Sequence, residues 1–367
     1  MTTVAERLDI VMLGLSITSS WGNGHATTYR GLVRELEARG HRVLFLERDQ
    51  PWYADNRDMA HPPFGRTMLY GGLDALRAEH ADAVREADLV IVGSYVPDGI
   101  AVGEWVTRTA RGATAFYDID TPVTLVRLAT GSCEYLTTEL VGRYDMYLSF
   151  TGGPTLDRIE QELGSPMARP LYCSVDERLY HVEPRPVRWH LGYMGTYSDD
   201  RQPTLERLLL SVAREWKEAS FIAVGPQYPE SIVWPPNIKR VTHLAPKHHR
   251  AFYNEQRFTL NITRAAMVAA GWSPSVRLFE AAACGTPIIS DDWNGLDSFF
   301  TRDEEILVAA STADVLRMLQ DVPEAERLAI GARARRRVLS EHTAAHRAAE
   351  LEQYAYELLG APRGAVA

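Results

Sequence analysis

Residues 271–290 read GWSPSVRLFEAAACGTPIIS. Serine followed by proline, as at Ser273 and Pro274, is typical of a helix start, with serine at the N-cap and proline at the first helical position. The apolar spacing that follows predicts a helix over 275–283, and a turn with glycine and proline then leads into an apolar strand over 287–290. A helix that feeds a buried strand is the repeating unit of a parallel α/β sheet.

The same alternation of apolar runs and amphipathic stretches extends on both sides of this segment. Continuous apolar strands separated by helices indicate parallel sheets that are covered on both faces. The sequence therefore predicts an α/β protein with two Rossmann-like, doubly wound parallel-sheet domains. The predicted strands are 9–17, 42–46, 89–92, 113–117, 146–150, 171–173, 189–194, 221–224, 259–262, 287–290 and 306–309, and the predicted helices are 26–38, 73–86, 204–216, 275–283 and most of 324–359.

The alternation is interrupted at 175–188, a segment that is rich in charge and proline and has no periodicity. We place a linker there, between an N-terminal domain at 1–174 and a C-terminal domain at 189–340. The helical segment 341–367 is expected to pack back on the N-terminal domain.

The composition excludes several classes of protein. With 46% hydrophobic and 24% charged residues, the chain is ordinary globular protein rather than a disordered tail. The net charge of −9 argues against a general nucleic-acid binder. Cys133, Cys173 and Cys284 form no C-x-x-C pair, which favours a reducing compartment.

We expect a cytoplasmic protein without a transmembrane segment. Residues 10–29 contain no charged side chain, but only 10–17 is mainly apolar, and a membrane span needs about 20 such residues. The residues before this stretch include Glu6 and Asp9, unlike the basic start of a signal peptide. The arginines at 333–337 alternate with nearby glutamates and indicate a solvated helix face rather than a membrane or nucleic-acid surface.

A small, polar loop at 19–25 follows the first predicted strand and enters the first helix. Gly22 and Gly24 would let a ligand approach the backbone closely, and the free amides of the helix favour electron-rich groups. His25 is a candidate general base because imidazole accepts a proton near neutral pH. Alternatively, His25 only caps the helix or packs under the loop.

Two aspartates, Asp118 and Asp120, stand at the carboxyl end of the strand predicted at 113–117. Open α/β sheets bind ligands at this edge, so one carboxylate could orient an acceptor hydroxyl or take its proton. At strand spacing both side chains point the same way. Asp120 is equally well explained as the N-cap of a helix that begins near Pro122.

The second half repeats this arrangement of strand, glycine loop and helix. Gly195 and Thr196 follow the strand at 189–194, and Arg201 stands where it could bind a diphosphate with two parallel hydrogen bonds. A surface ion pair with Asp199 or Asp200 would explain the arginine as well. In the segment quoted first, the amides near Ser275 and Val276 would be free for phosphate oxygens, and Glu280 two turns further along could accept both hydroxyls of a ribose.

The run from Ser273 to Pro287 resembles the donor-binding segment of GT-B glycosyltransferases. Together with 191–201 (LGYMGTYSDDR) and 259–262 (TLNI), it is similar to the spore-maturation CgeB-like group. The resemblance covers most of the C-terminal half. In the N-terminal half it is limited to GNGH at 22–25 and YDIDTP at 117–122.

This resemblance implies a transferase that takes a sugar from a nucleotide diphosphate sugar, commonly a uridine donor, in a cleft between two Rossmann-like domains. Glu280 would hold the donor ribose and the loop at His243 and Leu244 would face the base. The diphosphate-binding residues would be Gly195, Thr196, Arg201, Ser275, Val276 and Arg277. The acceptor would be a saccharide, a lipid-linked molecule or a protein and would contact Gly24 and Asp118. No metal or other cofactor is implied, although Asp291 and Asp292 keep a weak metal hypothesis open.

One feature departs from the GT-B pattern. Many retaining members have two glutamates separated by seven residues, but eight positions before Glu280 stands Trp272. Sugar recognition must therefore come from other groups, such as the main chain, Asn261 or Arg264. The stereochemical outcome stays open: in an inverting reaction His25 or Asp120 is the general base, and in a retaining reaction they orient the substrates.

Three other functions remain as alternatives: a nucleotide-sugar 2-epimerase of the same architecture, a non-catalytic nucleotide-sugar sensor, and a nicotinamide dehydrogenase. The dehydrogenase is disfavoured because reading G-x-G from Gly22 places Thr27 where the third glycine should stand, although Glu47 occupies the place of a ribose-binding acid. The stretch 51–72 is predicted to be a long irregular insertion with several aromatic residues, where we expect the acceptor surface.

Overall fold

The structure is a computed structural model that describes residues 7–21 and 24–360. It contains two parallel sheets. The chain divides into unit 1, residues 1–173 with 344–367, and unit 2, residues 174–343. Gly22 and Asn23 of the predicted ligand loop lie outside the described residues.

Unit 1 contains a seven-stranded sheet among its described residues, with the order β3-β2-β1-β4-β5-β6-β7 and every pairing parallel. Its strands are β1 (Asp9–Gly14), β2 (Arg42–Arg48), β3 (Arg66–Tyr70), β4 (Leu89–Gly93), β5 (Ala113–Asp118), β6 (Met146–Ser149) and β7 (Ala168–Pro170). Its helices are α1 (His25–Ala38), α2 (Pro51–Ala54), α3 (Leu73–Glu86), α4 (Gly99–Thr109), α5 (Thr121–Ala129), α6 (Thr138–Val141), α7 (Pro154–Leu163) and, from the far end of the chain, α15 (Ala344–Leu359).

Alternate residues of the central strands enter two separate cores, one on each face of the unit 1 sheet. In β1, Ile10 and Met12 pack in one core, whereas Val11 and Leu13 pack in the other. Helix α15 lies on the first face against α1, where its Leu351 joins the same core as Met12. Burial on both faces explains why these strands are continuous apolar runs.

Unit 2 contains a six-stranded sheet with the order β10-β9-β8-β11-β12-β13, again parallel throughout the described pairings. Its strands are β8 (Trp189–Met194), β9 (Phe221–Val224), β10 (Ile238–Val241), β11 (Gln256–Asn261), β12 (Ile288–Ser290) and β13 (Leu307–Val308). Its helices are α8 (Gln202–Leu205), α9 (Ser211–Glu215), α10 (His249–Asn254), α11 (Ala265–Ala270), α12 (Val276–Ala283), α13 (Thr312–Asp321) and α14 (Glu324–Glu341). A π-helical turn, Glu206–Leu210, joins α8 to α9.

The prediction of two doubly wound parallel-sheet domains is therefore confirmed, but several local predictions were wrong. The stretch 51–72 is not irregular, since it contains α2 and the edge strand β3. The last strand of unit 1 is β7, at Ala168–Pro170 rather than at 171–173. Helix α12 has Ser275, not Ser273, at its N-cap because Ser275 is still extended, at φ −85° and ψ 143°.

The predicted domain limits stay a prediction. The two compact units divide the chain at slightly different places. The segment 175–188 belongs to unit 2, and α15 belongs to unit 1. Within the described parts of both units, no helix combines the length and the apolar character that crossing a membrane requires.

Candidate active site

Both sheets have a switch point, a place where neighbouring strands lead to connections on opposite sides. It lies between β1 and β4 in unit 1 and between β8 and β11 in unit 2. In open α/β sheets, ligands bind outside the carboxyl ends of the strands at this place. In unit 2 Arg277 bonds to the ends of both flanking strands, and in unit 1 His25 lies beside Tyr95, which follows β4.

In unit 2, Arg277 spans the switch point. Its Nε donates to the carbonyl of Met194 at the end of β8 at 2.6 Å, and its Nη1 donates to Oδ1 of Asn261 at the end of β11 at 2.9 Å. The guanidinium also lies over the ring of Tyr193, 5.4 Å from its centroid. Because three neighbours fix this side chain, its positive charge has a defined position at the sheet edge.

Arg201 and Arg264 add two further positive charges to this edge. Burial lowers the pKa of Arg201, and the charges of Arg277 and Arg264 act in the same direction, partly offset by Tyr193 and Tyr228. Arg201 donates to the carbonyl of Thr196 at 2.5 Å, while its Nε is buried and has no hydrogen-bond partner in the described part of the chain. Crowded guanidinium groups with an unused donor are suited to bind an anion.

Among the described residues, Arg201 does not form the alternative that the sequence predicted, a surface ion pair with Asp199 or Asp200. Asp199 accepts a hydrogen bond from the Tyr197 hydroxyl at 2.5 Å, and Asp200 accepts one from the amide of Ala265 at 2.6 Å. Arg201 instead points to the loop that contains Gly195 and Thr196. The structure thus brings Arg201, Arg277 and this loop together, and their predicted role in binding a diphosphate stays a prediction.

The glycine loop is held tightly by its neighbours. Gly225, at φ +150°, lies so close that a Cβ there would approach the carbonyl oxygen of Gly195 to 1.9 Å. The hydroxyl of Tyr228 donates to the same carbonyl at 3.1 Å. This close approach of two backbone segments requires glycine at 225 and fixes the path of residues 195 and 196.

Helix α12 begins beside Arg277. Ser275 is its N-cap and Val276 its first residue, and the Ser275 side chain makes no capping bond but donates to Asn261 at 3.3 Å. The first amides of a helix have no intrahelical acceptor and attract anions. The eight-residue helix therefore adds a helix N-terminus to the arginine cluster.

Glu280 is buried in unit 2, whereas a carboxylate in an open ribose site would be exposed. Its side chain is buried, and the hydroxyl of Tyr253 donates to its Oε2 at 2.9 Å. Tyr180 adjoins the same carboxylate: burial raises the pKa of its phenol, and the charge of Glu280 raises it further.

The loop at His243 and Leu244 is connected to this buried group through His249. Nδ1 of His249 lies 3.3 Å from the Tyr180 hydroxyl, and its Nε2 lies 3.0 Å from the carbonyl of Leu244. His243 itself is exposed. The structure thus links Glu280 to the predicted base-facing loop by a chain of side chains that the sequence did not reveal.

The two adjacent aspartates considered for a metal have protein partners. Asp291 accepts from the amide of Thr263 at 3.0 Å and from its hydroxyl at 2.8 Å, and Asp292 pairs with Arg302 at 2.8 Å. Over residues 7–21 and 24–360, no group of three His, Cys, Asp or Glu side chains is arranged to hold a metal ion.

In unit 1, the loop before α1 is fixed by Glu47 at the end of β2. This carboxylate is fully buried and accepts four hydrogen bonds, from the hydroxyls of Ser16 and Thr18 and the amides of Ile17 and Thr18. Glu47 is therefore a loop anchor, not the exposed ribose-binding acid that a dinucleotide site would need.

The same loop is tied to the stretch predicted to form the acceptor surface. Both the amide and the hydroxyl of Ser20 donate to Asp58 at 2.8 Å, and Arg30 of α1 binds the two oxygens of that carboxylate at 2.9 and 3.0 Å. Gly24 is exposed at the N-cap of α1, and His25 is the first residue of the helix. Burial lowers the pKa of His25 to about 4, so its imidazole is neutral at pH 7.

Asp118 and Asp120 have different surroundings, contrary to the prediction that they point the same way. Asp118 is fully buried and accepts from the hydroxyls of Tyr147 at 2.5 Å and Thr124 at 2.8 Å and from the amide of Asp120 at 3.2 Å. Because this last bond turns the chain, Asp120 leaves the strand direction. Asp118 thus holds the loop, and the acceptor contact predicted for it stays a prediction.

Asp120 occupies the N-cap position of α5, but its side chain makes no capping hydrogen bond. Its Oδ2 accepts instead from the hydroxyl of Tyr95 at 2.8 Å. The ring of Tyr95 lies 5.5 Å from the ring of His25, centroid to centroid. The structure therefore gathers His25, Asp120 and Tyr95 at the switch point of unit 1. Tyr95 was missed because one tyrosine after an apolar strand gives no sequence signal.

Residues 201–353 match a family described as glycosyl transferase-like. The search of curated proteins found no match.

Solved structures share the fold at low identity. A sucrose-phosphate synthase from Thermosynechococcus elongatus is 16% identical, with a TM-score of 0.71 over 96% of this chain and 100% of that one. HepE of Anabaena, solved with UDP and glucose, is 12% identical, with a TM-score of 0.68 over the same shares. An alpha-glucosyltransferase solved with UDP-glucose and DNA is 11% identical, with a TM-score of 0.65 over 94% of this chain and 98% of that one. The chain has the GT-B fold.

Proposed function

We propose that this chain, a glycosyltransferase enzyme by its family match and GT-B fold, moves a sugar from a UDP-sugar to an acceptor hydroxyl without a metal ion. UDP is supported by related folds whose structures hold UDP or UDP-glucose. The arginine cluster of unit 2 carries the proposal. The charges of Arg264 and Arg277 both act on Arg201, and none of the three forms an ion pair with a carboxylate in the described residues.

On the donor side, the diphosphate binds to this cluster and to the first amides of α12. The unused Nε of Arg201 and the amides near Ser275 and Val276 supply the hydrogen bonds. They stabilise the negative charge that grows on the leaving UDP as the glycosidic bond breaks, which is the task a metal ion performs elsewhere. Glu280 binds the ribose: its carboxylate accepts hydrogen bonds from a ribose hydroxyl and from the hydroxyl of Tyr253 together.

On the acceptor side, the neutral imidazole of His25 or the carboxylate of Asp120 accepts the hydroxyl proton if the reaction inverts. With a pKa of about 4, His25 is fully in its base form at neutral pH but is a weak base. The carboxylate of Asp120 is held by the hydrogen bond from the Tyr95 hydroxyl and takes the proton of the acceptor hydroxyl as the alternative base. In a retaining reaction both side chains orient the acceptor.

Binding of UDP and of uridine tests the donor site without knowledge of the acceptor. Replacing Arg201 with methionine removes the unused donor and one charge, so UDP should bind about tenfold or more weakly while uridine binds as before. The matched control is Arg336→Met, which removes an exposed arginine of α14 in the same unit. Calorimetry that shows equal UDP affinity for Arg201→Met and the unchanged protein would contradict the assignment.

A panel of UDP-sugars then tests turnover in the presence of a chelator. Release of UDP that needs an added acceptor supports transfer, whereas an epimer formed from donor alone would identify an epimerase instead. If the chelator stops turnover and Mg²⁺ restores it, metal independence is wrong.

We also propose that the chain belongs to the CgeB-like group and acts in the cytoplasm. The first rests on the sequence similarity at 191–201, 259–262 and 273–287. The second rests on Cys133, Cys173 and Cys284, which form no disulfide bond in the described residues, because disulfides are rare in reducing compartments.

A further inference from the structure

Tyr95 stands at the switch point of unit 1 in an unusual backbone conformation. It follows β4 by two residues and has a φ of +64°, in the left-handed region that side chains other than glycine rarely adopt. Such a conformation costs free energy and persists where the surrounding structure requires it. The packing around Tyr95 therefore determines where its side chain lies.

Three groups lie close to the half-buried ring of Tyr95. The ring of Tyr135 lies 4.7 Å away, the guanidinium of Arg127 lies 5.5 Å from its centroid, and the ring of His25 lies 5.5 Å away. The hydroxyl of Tyr95 donates to Oδ2 of Asp120 at 2.8 Å. One side chain thus touches both candidates for the general base.

The charges around Asp120 are unequal. Asp118 of β5 adds a second carboxylate, whose own pKa burial raises to about 6, with the charge of Asp120 acting in the same direction. Arg127 of α5 is a positive charge that acts on Tyr95. Burial and the charge of Asp120 raise the pKa of the Tyr95 phenol, so the phenol keeps its proton and donates it at neutral pH.

We infer that Tyr95 is a positioning residue, which orients the carboxylate of Asp120 for the acceptor hydroxyl and keeps it ionised. This inference rests on the proposed function for its catalytic meaning. A hydrogen bond donated to a carboxylate favours the charged form, so its loss raises the pKa of that carboxylate. It also removes one of the contacts that orient the carboxylate toward the acceptor, which reduces kcat without changing donor affinity.

The test compares Tyr95→Phe with Tyr144→Phe. Tyr144 is buried in the same unit and its hydroxyl has no hydrogen-bond partner in the described residues, so both variants lose one phenol oxygen. In protein labelled with ¹³C in the aspartate carboxyls, the signal of Asp120 is assigned by its loss in Asp120→Asn. We expect the pKa of Asp120 to rise by about 1 in Tyr95→Phe and to be unchanged in Tyr144→Phe.

Turnover provides the second reading. The acidic limb of the pH–kcat profile should move to higher pH in Tyr95→Phe, with kcat reduced about tenfold and UDP affinity preserved. An unchanged pKa of Asp120 in folded Tyr95→Phe overturns the inference, with or without turnover. If the pKa rises but no UDP-sugar is consumed by the unchanged protein, the positioning role stands and the proposed function fails.

Discussion

The carboxyl group of Asp118 makes unit 1 sensitive to pH in a direction opposite to that of most aspartates. It is fully buried at the end of β5, and burial raises its pKa from the ordinary 3.8 to about 6, although hydrogen bonds from Tyr147, Thr124 and the Asp120 amide oppose the rise. Below pH 3.8 the group is protonated in both the folded and unfolded chains. As pH rises through 6, the folded chain must ionise a buried acid, so stability is lost.

The size of this loss follows from the difference between the two pKa values. A rise from 3.8 to about 6 corresponds to about 3 kcal/mol of unfolding free energy, of which about 2 kcal/mol is lost between about pH 4.5 and about pH 7.5. Asparagine has the same shape and no charge. It still accepts from Thr124 and the Asp120 amide through its oxygen, while its amide group donates to Tyr147.

Urea unfolding of the unchanged protein and Asp118→Asn at these two pH values measures the effect. Relative to the unchanged protein, the variant should gain about 2 kcal/mol as pH rises, because all other titrating groups cancel in the comparison. Asp145→Asn is the matched control, since this exposed aspartate also accepts two hydrogen bonds, both from Thr114. Equal pH dependence in Asp118→Asn and the unchanged protein would refute the reasoning.

Three further changes have defined outcomes. Glu47→Gln replaces an oxygen that accepts two hydrogen bonds from residues 16–18 with an amide that cannot accept them; we expect about 2 kcal/mol of lost stability by urea unfolding and faster hydrogen exchange in this loop. Gly225→Ala forces a Cβ against the carbonyl of Gly195 at φ +150°, so thermal melting should show unit 2 destabilised by about 2 kcal/mol or more, and UDP binding should weaken. Tyr29→Phe removes a buried hydroxyl without a hydrogen-bond partner in the described residues, so the melting temperature should stay equal or rise; a clear fall would show that the hydroxyl is satisfied.

The sequence predicted the central strands well because their burial on both faces makes them continuous apolar runs. Two edge strands, β3 and β10, were missed for the complementary reason. Most of their residues are exposed or half-buried, so RTMLY and IKRV are not continuous apolar runs. The strand predicted at 171–173 was misplaced by three residues, because Leu171 and Cys173 are buried beyond the end of β7.

Candidate site residues could be proposed from the sequence where they lie in one continuous segment. Contacts between residues of distant segments could not be predicted. Arg201 and Ser275 were identified from glycine, serine and proline patterns that mark strand-to-helix turns. The bond between Tyr95 and Asp120 joins residues that are 25 positions apart. No spacing rule links them, because their proximity depends on the order of β4 and β5 in the sheet.

The position of α15 has a consequence for how the chain is made. The helix leaves the ribosome after the whole of unit 2, yet its Ala348, Leu351 and Ala355 pack in the same core as Leu8 of unit 1. Residues 174–343 emerge in between and contain everything their own unit needs. Unit 2 can therefore finish folding during synthesis. Until α15 has been made, the apolar surface of α1 in unit 1 stays uncovered, and a chaperone would protect the chain most during this period.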